Sequence, residues 1–487
     1  MVLLSTVARR RVGGITNKVL VVIVFSTFGF FTWNFSEFFS PDAIYYFGRR
    51  LDSLSDLASA FFSLDDRGQY RPLGLVLFSF VFHPLLGSGT AGYHLIPLLF
   101  HAANIFLVYR IARELHADST VALSAAFFFA LHRCNFFITF GITFLPDFAG
   151  CFFFLSAFLV YMKRRGAGGW ISALVLFVLG LGNKETVVVF PAVLLCYEWF
   201  RAGRPGGERR WTALLKPVLP FLAVSVLFTA FMFYLRGNLY PDDTNHPYRA
   251  SLAVGSLIPK VKYFWWAVNL PQGSGLADLM LPGLVRSASM PKIGVPYPLP
   301  TLAATVFMLP IALALCAAVV SGLRRRDRFV ILGLASFLLA LAPVLPLAGK
   351  VMQHNLYFSV FGLSLLFGVF VRRILETRWK FIVPSIVLAY MFSTGVGIAN
   401  NRHISWPVTS ARTSKQLLER FTDAARSQRF CESGHILIAR TGNPDFVWYS
   451  DGGNLFRVFG PCPEIKVYFE DLGQTARNPD VVRLELE

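Results

Sequence analysis

Charged residues are few in this chain. Only 15% of its 487 residues are Asp, Glu, Lys or Arg, against roughly 25% in an average soluble domain, and 55% are hydrophobic. That balance excludes an ordinary water-soluble globule and makes the bilayer the solvent. Cysteine is also scarce, six in all, and no Cys or His spacing matches a metal motif. Cys134, Cys151, Cys196 and Cys316 lie in or beside apolar runs, where a thiol packs as a small hydrophobe. Cys431 and Cys462 lie in a polar C-terminal stretch, where an oxidising compartment lets them pair as a disulfide. Tandem repeats and low-complexity segments are absent. Acidic residues number 28 against 46 basic ones, a formal charge of +18. That charge does not describe a nucleic-acid partner, because the basic residues form short clusters between apolar runs, such as Lys163-Arg164-Arg165 and Arg324-Arg325-Arg326.

A bilayer-spanning helix needs about 20 mostly apolar residues. Eleven runs qualify approximately: 17–34, 92–111, 119–134, 146–162, 169–183, 187–200, 213–235, 300–322, 328–347, 354–372 and 379–398. The first follows Arg9, Arg10 and Arg11 without a small-residue cleavage site after it, so it reads as a retained helix. With the N-terminus cytoplasmic, alternate loops carry Arg110 and Arg113, Lys163 to Arg165, Arg201 to Arg210, Arg324 to Arg328, and Arg372 to Lys380. The agreement of five loops with the positive-inside rule supports both the count and this orientation.

The expected fold is therefore an all-α polytopic membrane protein, with a membrane domain over 1–400 and a small extramembrane α/β or α+β domain over 401–487. Two outer loops are long, 35–92 and 237–299. Each contains an apolar stretch, Leu73–Leu86 and Ser251–Leu270, expected to lie in the interface, the second anchored by Lys260, Lys262, Trp265 and Trp266. In the tail the spacing predicts a helix over Ser414–Arg426 and strands over His435–Ala439, Phe446–Tyr449, Leu455–Phe459 and Ile465–Phe469.

The first outer loop gathers acids: Glu37, Asp42, Asp52, Asp56, Asp65 and Asp66. A carboxylate just outside the first helix suits a general base, and Asp42 and Glu37 are both placed for it. Arg71, Lys184 and His354, in outer loops or at outer helix ends, suit a leaving phosphate. As plain structure, the same residues read as helix caps, surface ion pairs or interfacial anchors, and Asp65-Asp66 before Gly68 reads as a solvated turn.

Colinear short elements extend this reading: Tyr70-Arg71-Pro72-Leu73; Tyr93-His94-Leu95 with His101-Ala102-Ala103-Asn104; Ala130-Leu131-His132; Pro146-Asp147-Phe148; Asn183-Lys184-Glu185-Thr186; and Gln353-His354-Asn355-Leu356-Tyr357-Phe358 with Gly362. In this order they resemble the glycosyltransferase C superfamily, especially its polyprenyl-phosphate-sugar-dependent transmembrane O-mannosyltransferase branch and bacterial relatives. The resemblance runs from about Phe31 to Val371. It implies inverting transfer of a sugar from a polyprenyl-phosphate donor to a protein, polysaccharide or glycolipid acceptor on the periplasmic or luminal face. Asp42, or else Glu37, would be the base. Arg71, His94, His132, Asp147, Lys184, Glu185, His354 and Tyr357 would bind donor phosphate or substrate.

Three departures qualify the likeness. The superfamily's adjacent pair of acids is absent, and Asp42 stands before Ala43-Ile44 much as that pair precedes an isoleucine. His354 and Asn355 replace an acidic residue and an arginine. The tetratricopeptide tail is missing, and the outer tail domain takes its place, offering a surface for a protein partner. No cofactor is required on this reading; a metal, if present, would need Asp42 and Asp147 together. The expected location is a bacterial inner membrane with the tail in the periplasm. A non-catalytic scaffold and a lipid-linked glycan transporter remain the alternative functions.

Overall fold

The structure is a computed structural model that describes residues 2–65, 68–163, 166–202, 211–239, 257–271, 296–347, 351–427, 435–438, 446–469 and 482–484. Asp66, Arg164, Arg165 and Cys431, named above, lie outside the described residues.

Among the described residues, six helical stretches are long and apolar enough to cross a membrane: Thr16–Ser36, Thr90–His116, Ile142–Lys163, Pro298–Arg324, Gln353–Leu375 and Lys380–Ala425. The chain is thus a multi-pass membrane-type protein, with fewer full-length spans among the described residues than the eleven expected. Four of the others are shorter. Ser119–Ala130 has 12 residues, Ala167–Leu181 has 15, Phe190–Ala202 has 13 and Arg328–Leu341 has 14. The run from 213 to 235 breaks at Lys216-Pro217-Val218, between helices Trp211–Leu215 and Leu219–Leu239. Apolarity counted along the chain does not distinguish lipid contact from protein contact. Ser119–Ala130 buries Val121, Ala122, Ala125, Ala126, Phe128 and Phe129 among neighbouring helices, so it need not match the bilayer thickness.

Burial sorts the helices into centre and rim. Gln353–Leu375 and Ile142–Lys163 are 78% and 72% buried over their most apolar windows, whereas Pro298–Arg324 is 28% buried and turns Val306, Phe307, Leu313 and Val320 outward. Small residues let the central helices approach. A side chain at Gly362 would run into the backbone of Gly333 and Phe337, and one at Gly368 into that of Val121.

The basic clusters do structural as well as topological work. Asp118 and Asp327 cap helices Ser119–Ala130 and Arg328–Leu341 by accepting from backbone amides of Thr120 (2.7 Å) and Phe329 (3.0 Å). Arg372 and Arg373, at the end of helix Tyr357–Leu375, pair with those same caps at 2.5 and 2.7 Å. Tyr357 begins that helix, so its other end lies about 28 Å away, from 19 residues at 1.5 Å each.

Pro72–Leu86 is a 15-residue helical stretch with a π turn over Phe78–Phe82; Phe80, Val81 and Leu85 are exposed on it. Of the second interfacial stretch, Lys260 and Trp266 are buried and do not act as surface anchors. Lys260 donates to the carbonyl of Leu347 at 2.5 Å, and burial pushes its ammonium down to about 8.

Helix Val383–Ile404 runs across the expected boundary at 400 and turns at Ser405 into Trp406–Ser427. Three short strands, β1 (His435–Ile438), β2 (Lys466–Phe469) and β3 (Val482–Leu484), form a parallel sheet in the order β2-β1-β3. The expected strands at 446–449 and 455–459 are instead helices Phe446–Tyr449 and Asn454–Phe459. Short apolar runs carry no usable period, and packing decides them. Here Phe456 packs tilted against Phe421, and Phe459 reaches Phe38, Phe39 and Phe47 of the first outer loop, with ring centroids 5.5, 5.2 and 5.0 Å apart. Cys462 is buried and disulfide-bonded, while Cys134, Cys151, Cys196 and Cys316 are free.

Candidate active site

A cavity of about 880 Å³ opens where the first outer loop, the helix ends and the tail meet. Six of the ten residues singled out from sequence line it: Asp42, Arg71, Asp147, Lys184, Glu185 and His354. Local structure explains how segments hundreds of residues apart arrive there.

Asp42 sits in the first turn of helix Pro41–Gly48, where a carboxylate complements the helix dipole and Pro41 pre-sets the backbone. The loop before it is clamped to the segment 139–143. Asn34 Nδ2 donates to the carbonyls of Thr139 (2.5 Å) and Phe140 (3.0 Å), and Ser40 Oγ lies 2.6 Å from Thr143 Oγ1. His94 is buried and bridges the carbonyls of Glu37, at 3.0 Å, and Phe140. His94 therefore holds the loop that carries Asp42, rather than lining the cavity.

Lys184 stands in the turn after helix Ala167–Leu181, its backbone N–H donating to Gly180 O at 2.9 Å. Gly150 makes room for it: a side chain there would come within 2.8 Å of Lys184 Cβ. Asp147 lies nearly one turn earlier on the same helix as Gly150, which brings Lys184 Nζ to 3.0 Å from Asp147 Oδ1 in a pair only 7% and 5% exposed. The same turn receives Arg71. Leu73 N–H donates to Gly182 O at 3.1 Å, and Arg71 lies 3.5 Å from Glu185. His354, in the turn before helix Tyr357–Leu375, faces the ring of Phe144 at 5.0 Å.

The remaining four residues fall elsewhere. Glu37 turns away from the cavity lining to meet Arg412 of the tail through two bonds, 2.6 and 3.1 Å. His132 is buried against Cys134 Sγ (3.0 Å) and Ala267 O (3.2 Å). Tyr357 is fully buried, its hydroxyl 2.8 Å from His101 Nδ1 and accepting from Asn104 Nδ2 at 3.0 Å. His94, His101, Asn104, His132 and Tyr357 thus tie elements together around the site and do not form its walls.

Other lining residues were not anticipated. Tyr45 lies three residues after Asp42, so helical spacing alone puts it on the same face, with the Arg49 guanidinium over its ring at 5.4 Å. Asp65 and Asp56 also line the cavity. Asp56 closes a capping box on helix Leu54–Phe62, and hydrogen bonds from Ser53 and Asp52 hold its carboxyl below the usual range. Trp406 and Trp448 come from the tail, rings 6.3 Å apart, and no local signal marks them. Among the described residues, Thr186 Oγ1 and Trp406 Nε1 are buried without a hydrogen-bond partner, and both residues line the cavity. Such groups favour a polar ligand.

The fold is shared with a solved archaeal oligosaccharyltransferase. The structure aligns over 92% of its length with the oligosaccharyltransferase of Archaeoglobus fulgidus solved with Zn and sulfate, with a TM-score of 0.50 and 14% identity. It covers 62% of that chain. The same enzyme tethered to an acceptor peptide containing the NVT sequon aligns at a TM-score of 0.49 and 13% identity, over 93% of this chain and 63% of that one. In sequence, 140 residues are 34% identical to the Protein O-mannosyl-transferase Tmtc2 of Drosophila melanogaster, covering 26% of this chain and 14% of the relative. The chain thus spans a small part of that curated relative. No protein-family profile matches it.

Proposed function

We propose that the protein transfers a sugar from a polyprenyl-phosphate donor to an acceptor hydroxyl on the non-cytoplasmic face of a bacterial inner membrane, with inversion at the sugar's anomeric carbon. The observation that carries this reading is the convergence of one helix-start carboxylate, Asp42, with Arg71, Lys184 and His354 in a single cavity. On it, Asp42 takes the proton of the acceptor hydroxyl as the oxygen bonds to the anomeric carbon, and the bond from that carbon to the phosphate oxygen breaks. The charge that appears on the departing lipid phosphate meets Arg71, Lys184 and His354. Glu37 is set aside as base because its carboxylate is committed to Arg412. The basic clamps of Arg372 and Arg373 at the far end of the central helix support placing the cavity outside.

A non-catalytic scaffold reading draws on one feature, the pairing of Lys184 and Arg71 with carboxylates of the same chain. The two are separated by turnover. Purified protein in detergent is given radiolabelled polyprenyl-phosphate sugars, and release of polyprenyl phosphate is followed. Asp42→Asn should lower the rate by about 10²- to 10⁴-fold, the usual contribution of a general base, while Glu37→Gln stays within a few-fold of wild type. Full activity in Asp42→Asn removes the assigned base. Donor binding without turnover by any acceptor favours the scaffold.

A further inference from the structure

The resemblance drawn from sequence allows a divalent ion held between Asp42 and Asp147. The residues present do not fit one. Among the described residues, no three His, Cys, Asp or Glu side chains come together, so an ion here would rest on Asp42 and Asp147 alone, with water and donor phosphate completing its shell. Asp147 is moreover engaged by a cation already, the ammonium of Lys184 at 3.0 Å, with both side chains buried.

We propose that Lys184 fills the cation seat, so that binding of the lipid phosphate at this site needs no metal ion and Asp147 acts as a positioning residue for the lysine. The proposal rests on the functional reading above. Three features support it. The pair is built in: Gly150 gives up its side chain so that the Lys184 backbone can close on the helix bearing Asp147, and the turn is pinned by the Gly180 and Gly182 carbonyls. The charge also balances. A divalent ion between two carboxylates is formally neutral, and so is one ammonium on one carboxylate. The difference lies in Asp42. A metal would draw that carboxylate into its ligand set and lower its basicity, whereas the lysine pairing is complete without it, which suits Asp42 as the base. With one N–H on Asp147, the ammonium keeps up to two donors for phosphate oxygens as well as its charge.

The test is binding of farnesyl phosphate, a short polyprenyl phosphate, to the full-length protein in detergent. It is run after EDTA treatment and again with added Mg²⁺, Mn²⁺ or Zn²⁺. The expected result is a wild-type Kd that moves less than twofold across these conditions. Lys184→Met should weaken binding at least tenfold, and Lys184→Arg should recover most of it. Asp147→Asn should raise the KM for the donor more than it lowers kcat. Loss of wild-type binding in EDTA with recovery on adding a metal overturns the proposal and leaves the functional reading intact. Because that comparison uses the wild-type protein, it stands even if the variants fold poorly. No binding under any condition overturns the functional reading and this proposal with it.

Discussion

Truncating Phe459 should release the tail from the first outer loop. Its ring packs against Phe38, Phe39 and Phe47 at centroid distances of 5.0 to 5.5 Å. Each such pair contributes about 0.5–1.5 kcal/mol beyond area burial. A fully buried Phe→Ala change costs about 3–5 kcal/mol. Phe459 keeps partial exposure, so the cost of Phe459→Ala should be about 2–3 kcal/mol. If that cost falls on docking and not on the tail's own fold, the undocked population rises roughly 30- to 140-fold, at 1.4 kcal/mol for each factor of ten. Limited proteolysis in detergent reads this directly, because cleavage tracks the open population when reclosing is fast. Tail cleavage should accelerate by that factor, and turnover should fall as Trp448 leaves the cavity wall. Unchanged cleavage in Phe459→Ala would refute the claim that this aromatic seam holds the tail in place.

Gly362→Ala should be among the most damaging single-methyl additions in the membrane bundle. The new side chain meets the backbone of Gly333 and Phe337 rather than a flexible group, and overpacking of that kind costs about 1–3 kcal/mol or more. Thermal unfolding in detergent should show it, with Gly29→Ala, where nothing lies within 4 Å, as the neutral control. Asp56 gives a pH prediction. Its folded pKa lies below its unfolded value of 3.8, so the capping box is fully formed above about pH 4 and is lost as pH falls through the folded value. Protection against hydrogen exchange over residues 54–62, taken relative to the intrinsic rate at each pH, should therefore fall in acid in the wild type, and Asp56→Ala should already lack it at neutral pH.

Some of this protein is written in its sequence without ambiguity. Its solvent follows from the shortage of charge, and the long spans follow from runs such as Thr90–His116, because a bilayer imposes a length and a polarity that a one-dimensional count can read. The elements at Tyr70-Arg71-Pro72-Leu73 and Asn183-Lys184-Glu185-Thr186 were visible as well, each with a turn residue fixing its local shape. The sequence could not show that Leu73 bonds to Gly182, or that Gly150 lets Lys184 settle against Asp147, since those contacts join residues over a hundred and over thirty positions apart. Tertiary packing also separated the candidates. Glu37 and Asp42 are equivalent by composition and distance from the first helix, but a salt bridge to Arg412, 375 residues away, takes only Glu37. His94, His132 and Tyr357 carry the same chemistry as cavity residues and are buried as ties between helices. Apolar length and turn chemistry are local properties, so the sequence alone determined them. Which polar side chain faces the cavity, which pairs inside, and which helices meet lipid depend on distant backbone arriving at one place, and only the folded structure decides that.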